Sequence, residues 1–175
     1  DTGALYRGAT WLAMQKNISD ANKLVEALMD EKLTFNADPE KPTLKCGKVD
    51  ITDAIRIEEV TAQVSTYAAM PEVRAELLLL QRKIINDAQR GIVVEGRDIG
   101  TVVAPQSHLK IFLTADLDAR AKRREAELNT DKDLTESLAV RDEKDSTRTT
   151  SPLEKALDAF EIDSTELSLD ETVEA

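Results

Sequence analysis

Gly91-Ile92-Val93-Val94-Glu95-Gly96-Arg97-Asp98 and Leu109-Lys110-Ile111-Phe112-Leu113-Thr114 decide the fold class. Each is a short apolar, β-branched run of the kind that fills a parallel sheet covered on both faces. A weaker third run, Phe160-Glu161-Ile162-Asp163-Ser164-Thr165, follows helical spacing over about 117–128 and 134–144. Strands alternating with helices predict an α/β fold: a doubly wound parallel sheet with helices on both faces. In such sheets ligands lie beyond the carboxyl ends of the strands, so Gly96-Arg97-Asp98 stands at the expected ligand edge.

Upstream of these runs the pattern is different. Residues 3–15 are dense in apolar side chains after Asp1-Thr2, and 20–33 repeats at about 3.6 residues, so both stretches predict helices. Leu33–Asp38, Thr43–Cys46 and Lys48–Thr52, punctuated by Pro39, Pro42 and Gly47, predict a small meander of strands. Helical spacing returns over 55–70 and 71–89, with Pro71 as a first-turn proline.

The chain has 175 residues, 41% of them apolar and 33% charged, with a formal net charge of −11. That is enough apolar material for one domain-sized core, and it excludes disorder of the whole chain. An acidic total argues against broad phosphate neutralisation on nucleic acid, and no apolar run has the length of a membrane span. Cys46 is the only cysteine, which excludes an intrachain disulfide and a cysteine-based zinc site and fits a reducing, cytoplasmic setting. The sequence opens on Asp1 and stops shortly after the capping signature Ser168-Leu169-Asp170-Glu171, so both ends are expected to be cut.

Several polar groups could carry chemistry. Gly96 lets the backbone approach a ligand and Arg97 offers a planar fork matched to phosphate, although Arg97-Asp98 would also suit an ordinary ion pair at a strand end. Arg141, Asp145 and Arg148 are spaced to share one helix face, either as a grip on a phosphorylated sugar or as a solvated ion-pair ladder. Arg120, Lys122, Arg123 and Arg124 make a basic cluster in an acidic chain, and Arg120, Arg123 and Arg124 share a face. Thr2 and Arg7 could donate to an anion at a helix start. Taken singly, Ser65 and Arg74 read as solvent-facing helix residues, and His108 has no second ligand at metal spacing. No Gly-x-Ser-x-Gly elbow occurs, so a serine hydrolase is not indicated.

Together these segments resemble the bacterial cytidylate kinases, nucleoside monophosphate kinases of the P-loop class. The resemblance rests on Asp1-Thr2-Gly3-Ala4-Leu5-Tyr6-Arg7, Pro71-Glu72-Val73-Arg74, Glu95-Gly96-Arg97-Asp98-Ile99-Gly100-Thr101-Val102-Val103, Lys110–Leu113, Arg120-Ala121-Lys122-Arg123-Arg124, Arg141 to Arg148 and Ile162-Asp163-Ser164-Thr165. It implies phosphorylation of CMP or dCMP by ATP with Mg2+, with small nucleotides as partners and neither nucleic acid nor membrane. It implies that Thr2, Arg7, Arg97 and Arg148 surround the acceptor phosphate, that Ser65, Arg74 and Asp98 read the cytosine edge, and that Arg141 and Asp145 hold the ribose. Tyr6 is expected beside the acceptor nucleotide and Arg120, Arg123 and Arg124 in a phosphate-clamping lid, with Arg97, Arg148 and Arg123 carrying catalysis.

The implied organisation is a core of residues 1–31 and 90–175, a lid over about 117–150 and a monophosphate-binding insertion over 32–89. The family's Gly-x-x-x-x-Gly-Lys-[Ser/Thr] belongs to a first strand-loop-helix placed ahead of Asp1, and no such motif occurs in these residues. The expectation is therefore a sheet lacking its first strand and a chain inactive by itself. A binding remnant without the phosphate loop, or a kinase for UMP, are the competing readings.

Overall fold

The computed structural model describes residues 1–175. The chain divides into two compact units, Asp1–Gly96 and Arg97–Ala175.

In the first unit, α1 (Gly3–Lys16) and α2 (Ala21–Glu31) lead into strands β1 (Leu33–Asn36), β2 (Thr43–Cys46) and β3 (Val49–Asp50), then a 3-10 turn (Ala54–Arg56), α3 (Glu58–Ala68) and α4 (Pro71–Asp87). The expected helices and meander are present close to their predicted limits. Asp20 caps α2 by accepting from the Lys23 amide at 3.0 Å, and Pro71 sits in the first turn of α4, where its missing N–H costs nothing. The strands form an antiparallel sheet in the order β1-β2-β3, with Leu33 opposite Cys46 and Asn36 opposite Thr43.

Helix α1 is buried on several sides because α2, α3 and the β1-β2 hairpin all pack on it. Leu5, Ala9, Leu12 and Ala13 of α1 join Leu24, Leu28, Leu44, Ile51, Ile55, Val73 and Leu77 in one apolar core. Each large aliphatic side chain fully buried there contributes about 1.5–3 kcal/mol. Gly8 allows close approach to the sheet: a Cβ at that position would lie 2.8 Å from Leu44 Cδ2. Thr10, also buried, satisfies its hydroxyl by donating to the Tyr6 carbonyl at 2.8 Å.

The second unit carries a π-helical turn (Ile99–Val103), β4 (Ile111–Thr114), α5 (Leu117–Leu128), α6 (Thr135–Thr147), β5 (Phe160–Asp163) and α7 (Leu169–Glu174). β4 and β5 pair in parallel, Ile111 opposite Phe160 and Thr114 opposite Asp163, with α5 and α6 in the crossover between them. Asp116 caps α5, and the Ser168/Glu171 capping box opens α7.

The structure corrects the sequence reading at Gly91–Gly96, which forms no strand. Strand propensity needs a neighbour to supply ladder hydrogen bonds, and none lies beside this run; Val93 is 97% exposed. The parallel sheet thus consists of two strands, and the fold is α/β with helices and small sheets. No helix is long and apolar enough to cross a membrane.

Candidate functional site

Within the first unit, α1 carries Thr2 at its entry, then Tyr6 and Arg7. The Thr2 amide and hydroxyl both donate to the Glu95 carbonyl, at 3.1 and 2.8 Å, fixing the helix start. Arg7, one helical turn beyond Gly3, reaches from α1 to the Thr61 hydroxyl at 2.7 Å and the Ile55 carbonyl at 3.3 Å. Arg74 is 5% exposed, which corrects its solvent-facing reading: its guanidinium lies 5.1 Å from the Tyr6 ring centroid and donates to the Ala68 carbonyl at 3.1 Å. A buried guanidinium resting on an aromatic face is stabilised by the ring quadrupole and held flat. Ser65 is half-buried on α3. Tyr6 and Arg74 thus pack together across α1 and α4, the ring half-buried and the guanidinium buried.

An apolar cleft of about 840 Å3 in this unit is lined by Leu5, Phe35, Ile84, Ile85, Ile92 and Val93 among others. Arg7 and Arg74 are absent from its walls, and the one arginine there, Arg90, is accompanied by Asp1 and Asp38.

The second unit gathers four guanidiniums around two carboxylates. Arg97 lies 2.9 Å from Asp142 and 3.5 Å from Asp145, and Arg141 lies 3.9 Å from Asp145. Arg148 donates to Asp145 at 3.2 Å and to the Ser151 carbonyl at 2.6 Å. Arg120 pairs with Asp142 and donates to the Ala115 carbonyl at 3.0 Å. The helical spacing of four and three does set Arg141, Asp145 and Arg148 together. Burial and the neighbouring Arg97 charge lower the Arg141 pKa. Burial opposes ionisation of Asp142, but hydrogen bonds from Arg120 and Arg97 outweigh it and hold this carboxyl below the usual carboxylate range. A cluster with more guanidiniums than carboxylates keeps a positive surplus, and each guanidinium has five donors, so an oxyanion finds both charge and N–H groups there. Asp98 is buried at the start of the π-helical turn, its carbonyl accepting from the Val102 amide at 2.9 Å.

The three arginines of α5 diverge. Arg123 donates to the Ser164, Thr165 and Leu167 carbonyls, tying α5 to the turn after β5, while Arg124 pairs with Glu127 at 2.6 Å. Only Arg120 of the three reaches the carboxylate cluster. Sequence reasoning passed over Asp142, although its position three residues before Asp145 places two acids on one face of α6 and was visible in the spacing.

A surplus of guanidiniums over carboxylates on an α/β framework marks a protein equipped to grip an oxyanion, and the comparisons with known proteins say which. A cytidylate kinase family profile matches residues 1–175. The chain is 45% identical to a cytidylate kinase of Streptomyces avermitilis and 48% identical to one of Streptomyces coelicolor, each alignment covering 99% of this chain and 77% of the relative. It is 46% identical to a cytidylate kinase of Streptococcus pneumoniae, over 99% of this chain and 81% of that one. The chain belongs to the cytidylate kinase family.

Proposed function

We propose that the protein transfers the γ-phosphoryl group of ATP to CMP or dCMP. A phosphate oxygen of the acceptor attacks the γ-phosphorus, a new P–O bond forms, the bond to the β-phosphate bridging oxygen breaks, and ADP leaves beside CDP or dCDP. No protein nucleophile takes part, so catalysis reduces to positioning and charge neutralisation. The observation that carries this reading is the cluster around Asp142 and Asp145, with Arg97, Arg141 and Arg148 at 2.9 to 3.9 Å and Arg120 paired with Asp142.

In this reading Arg97 and Arg148, with Thr2 and Arg7, grip the acceptor phosphate. Arg141 and Asp145 hold the ribose, and Ser65, Arg74 and Asp98 read cytosine, whose amine suits a carboxylate and whose ring acceptors suit a guanidinium. Tyr6 packs beside the acceptor nucleotide, Arg120, Arg123 and Arg124 belong to a lid over about 117–150, and Arg123 joins Arg97 and Arg148 in catalysis. Residues 1–31 and 90–175 form the nucleotide-binding core, a parallel sheet with helices on both faces completed by a preceding strand-loop-helix, and 32–89 the monophosphate-binding insertion. The phosphate loop is not among residues 1–175, so these residues alone bind rather than turn over. No group of three His, Cys, Asp or Glu side chains is placed to hold a metal, and Mg2+ would be held chiefly by the donor phosphates. A cytoplasmic setting accords with the lone, buried Cys46.

The test is ADP release by the full-length protein with CMP, dCMP, UMP and AMP in parallel. CMP and dCMP should be turned over in preference; equal or faster turnover of UMP or AMP would overturn the assignment.

A further inference from the structure

We propose that Asp142 is a positioning residue that sets the spacing between Arg97 and Arg120, so that one guanidinium facing the acceptor phosphate and one facing the donor converge on the group being transferred. The inference rests on the phosphoryl-transfer reading above. Asp142 is the single carboxylate in ion-pair contact with both arginines: Oδ1 accepts from Arg97 at 2.9 Å, and Oδ2 pairs with Arg120. The two arginines come from segments far apart in sequence, Arg97 at the foot of the π-helical turn and Arg120 in α5, and Asp142 reaches both from α6.

Their remaining contacts leave the geometry open for an oxyanion. Arg97 uses Nε toward Asp145 and one terminal nitrogen on Asp142; Arg120 uses Nε on the Ala115 carbonyl and one terminal nitrogen on Asp142. On each guanidinium the other terminal nitrogen is left for a ligand. Two like charges held on one carboxylate repel unless an anion lies between them, and Asp142 is that anion. Its side chain is only 22% exposed, so the bridge is shielded from much of the solvent screening that weakens surface pairs.

A fixed spacing matters most where the transferred phosphoryl is shared between two polyanions. Asp142 therefore acts on turnover more than on binding of CMP, whose other contacts it does not touch. Asp142→Asn keeps the size but removes the charge and turns one acceptor into a donor. In the full-length protein it should lower kcat about ten- to a hundredfold while the KM for CMP stays within about threefold. Asp142→Glu, which restores the carboxylate, should recover most of that loss.

Near-normal kcat in Asp142→Asn overturns the proposal, as does a loss appearing in KM rather than kcat, or a Glu variant no better than the Asn one. An Asn variant melting more than about 10 °C below the parent makes Asp142 a structural anchor and also overturns it. Arg97→Ala is the parallel control. If it too leaves kcat/KM for CMP intact, the phosphoryl-transfer role of the cluster fails; if only the Asp142 variants are normal, the spacing role alone fails.

Discussion

The two units are stabilised in different ways. Nearly every buried apolar side chain lies in residues 1–96; Val103 and Ala121 are the only buried apolar ones in residues 97–175. The second unit leaves Ile111, Leu113, Phe160 and Leu169 exposed, and much of its order comes from guanidinium contacts: Arg97 and Arg120 on Asp142, Arg148 on Asp145, Arg123 on the turn after β5. Apolar packing fixes side chains to within a fraction of an ångström and resists change, whereas charged contacts can exchange one oxyanion for another. A protein that must hold a base and also re-form around a transferred phosphoryl group benefits from having both. The Tyr6–Arg74 contact, packed against that core, belongs with the first kind, and the Asp142/Asp145 cluster with the second.

The largest effect should fall on the packed unit. Leu24→Ala, at a fully buried position, is expected to cost about 2–5 kcal/mol in urea unfolding, whereas Leu113→Ala, 59% exposed, should change stability by less than about 0.5 kcal/mol. Equal costs at the two positions would erase the distinction between the units. Arg97→Ala should next show the opposite balance, a fall of about a hundredfold in kcat/KM for CMP with a much smaller change in unfolding free energy.

The smallest effect concerns acid. The folded pKa of Asp142 is depressed, so its contribution to stability is complete above the ordinary carboxylate pKa of about 3.9 and is lost as pH falls through the lower folded value. Asp142→Asn should melt about 2–4 °C below the parent at neutral pH, and the gap should close as the solution is taken below pH ~4. A gap that widens on acidification would mean that Asp142 is destabilised as an anion in the folded protein.

Much of the local structure was legible because its signals are local. The period of 3.6 gave the helices, Pro39, Pro42 and Gly47 gave the meander, and Ser168 with Glu171 gave the last cap. The run at Gly91–Gly96 failed for a non-local reason: its composition suits a strand, but pairing depends on a neighbour that no window of sequence contains. Arg74 was misread singly because its burial depends on Tyr6, on another helix and nearly seventy positions away. Helical spacing placed Arg141, Asp145 and Arg148 together, yet the same spacing on α5 grouped Arg120, Arg123 and Arg124, which go to three different partners. A shared helix face says which side chains start together; where a long arginine ends is decided by the carbonyls and carboxylates within its reach.

The bond from Thr2 to Glu95 sets a timetable. The anchor of α1 is 93 residues downstream of it, so this helix can coil during synthesis long before its entry point is secured. During synthesis α1 and α2 can coil and the hairpin can dock, but Thr2 remains loose until Glu95 emerges. An interruption of translation before that residue would leave a nascent chain with its core assembling and the entry to α1 still unmoored.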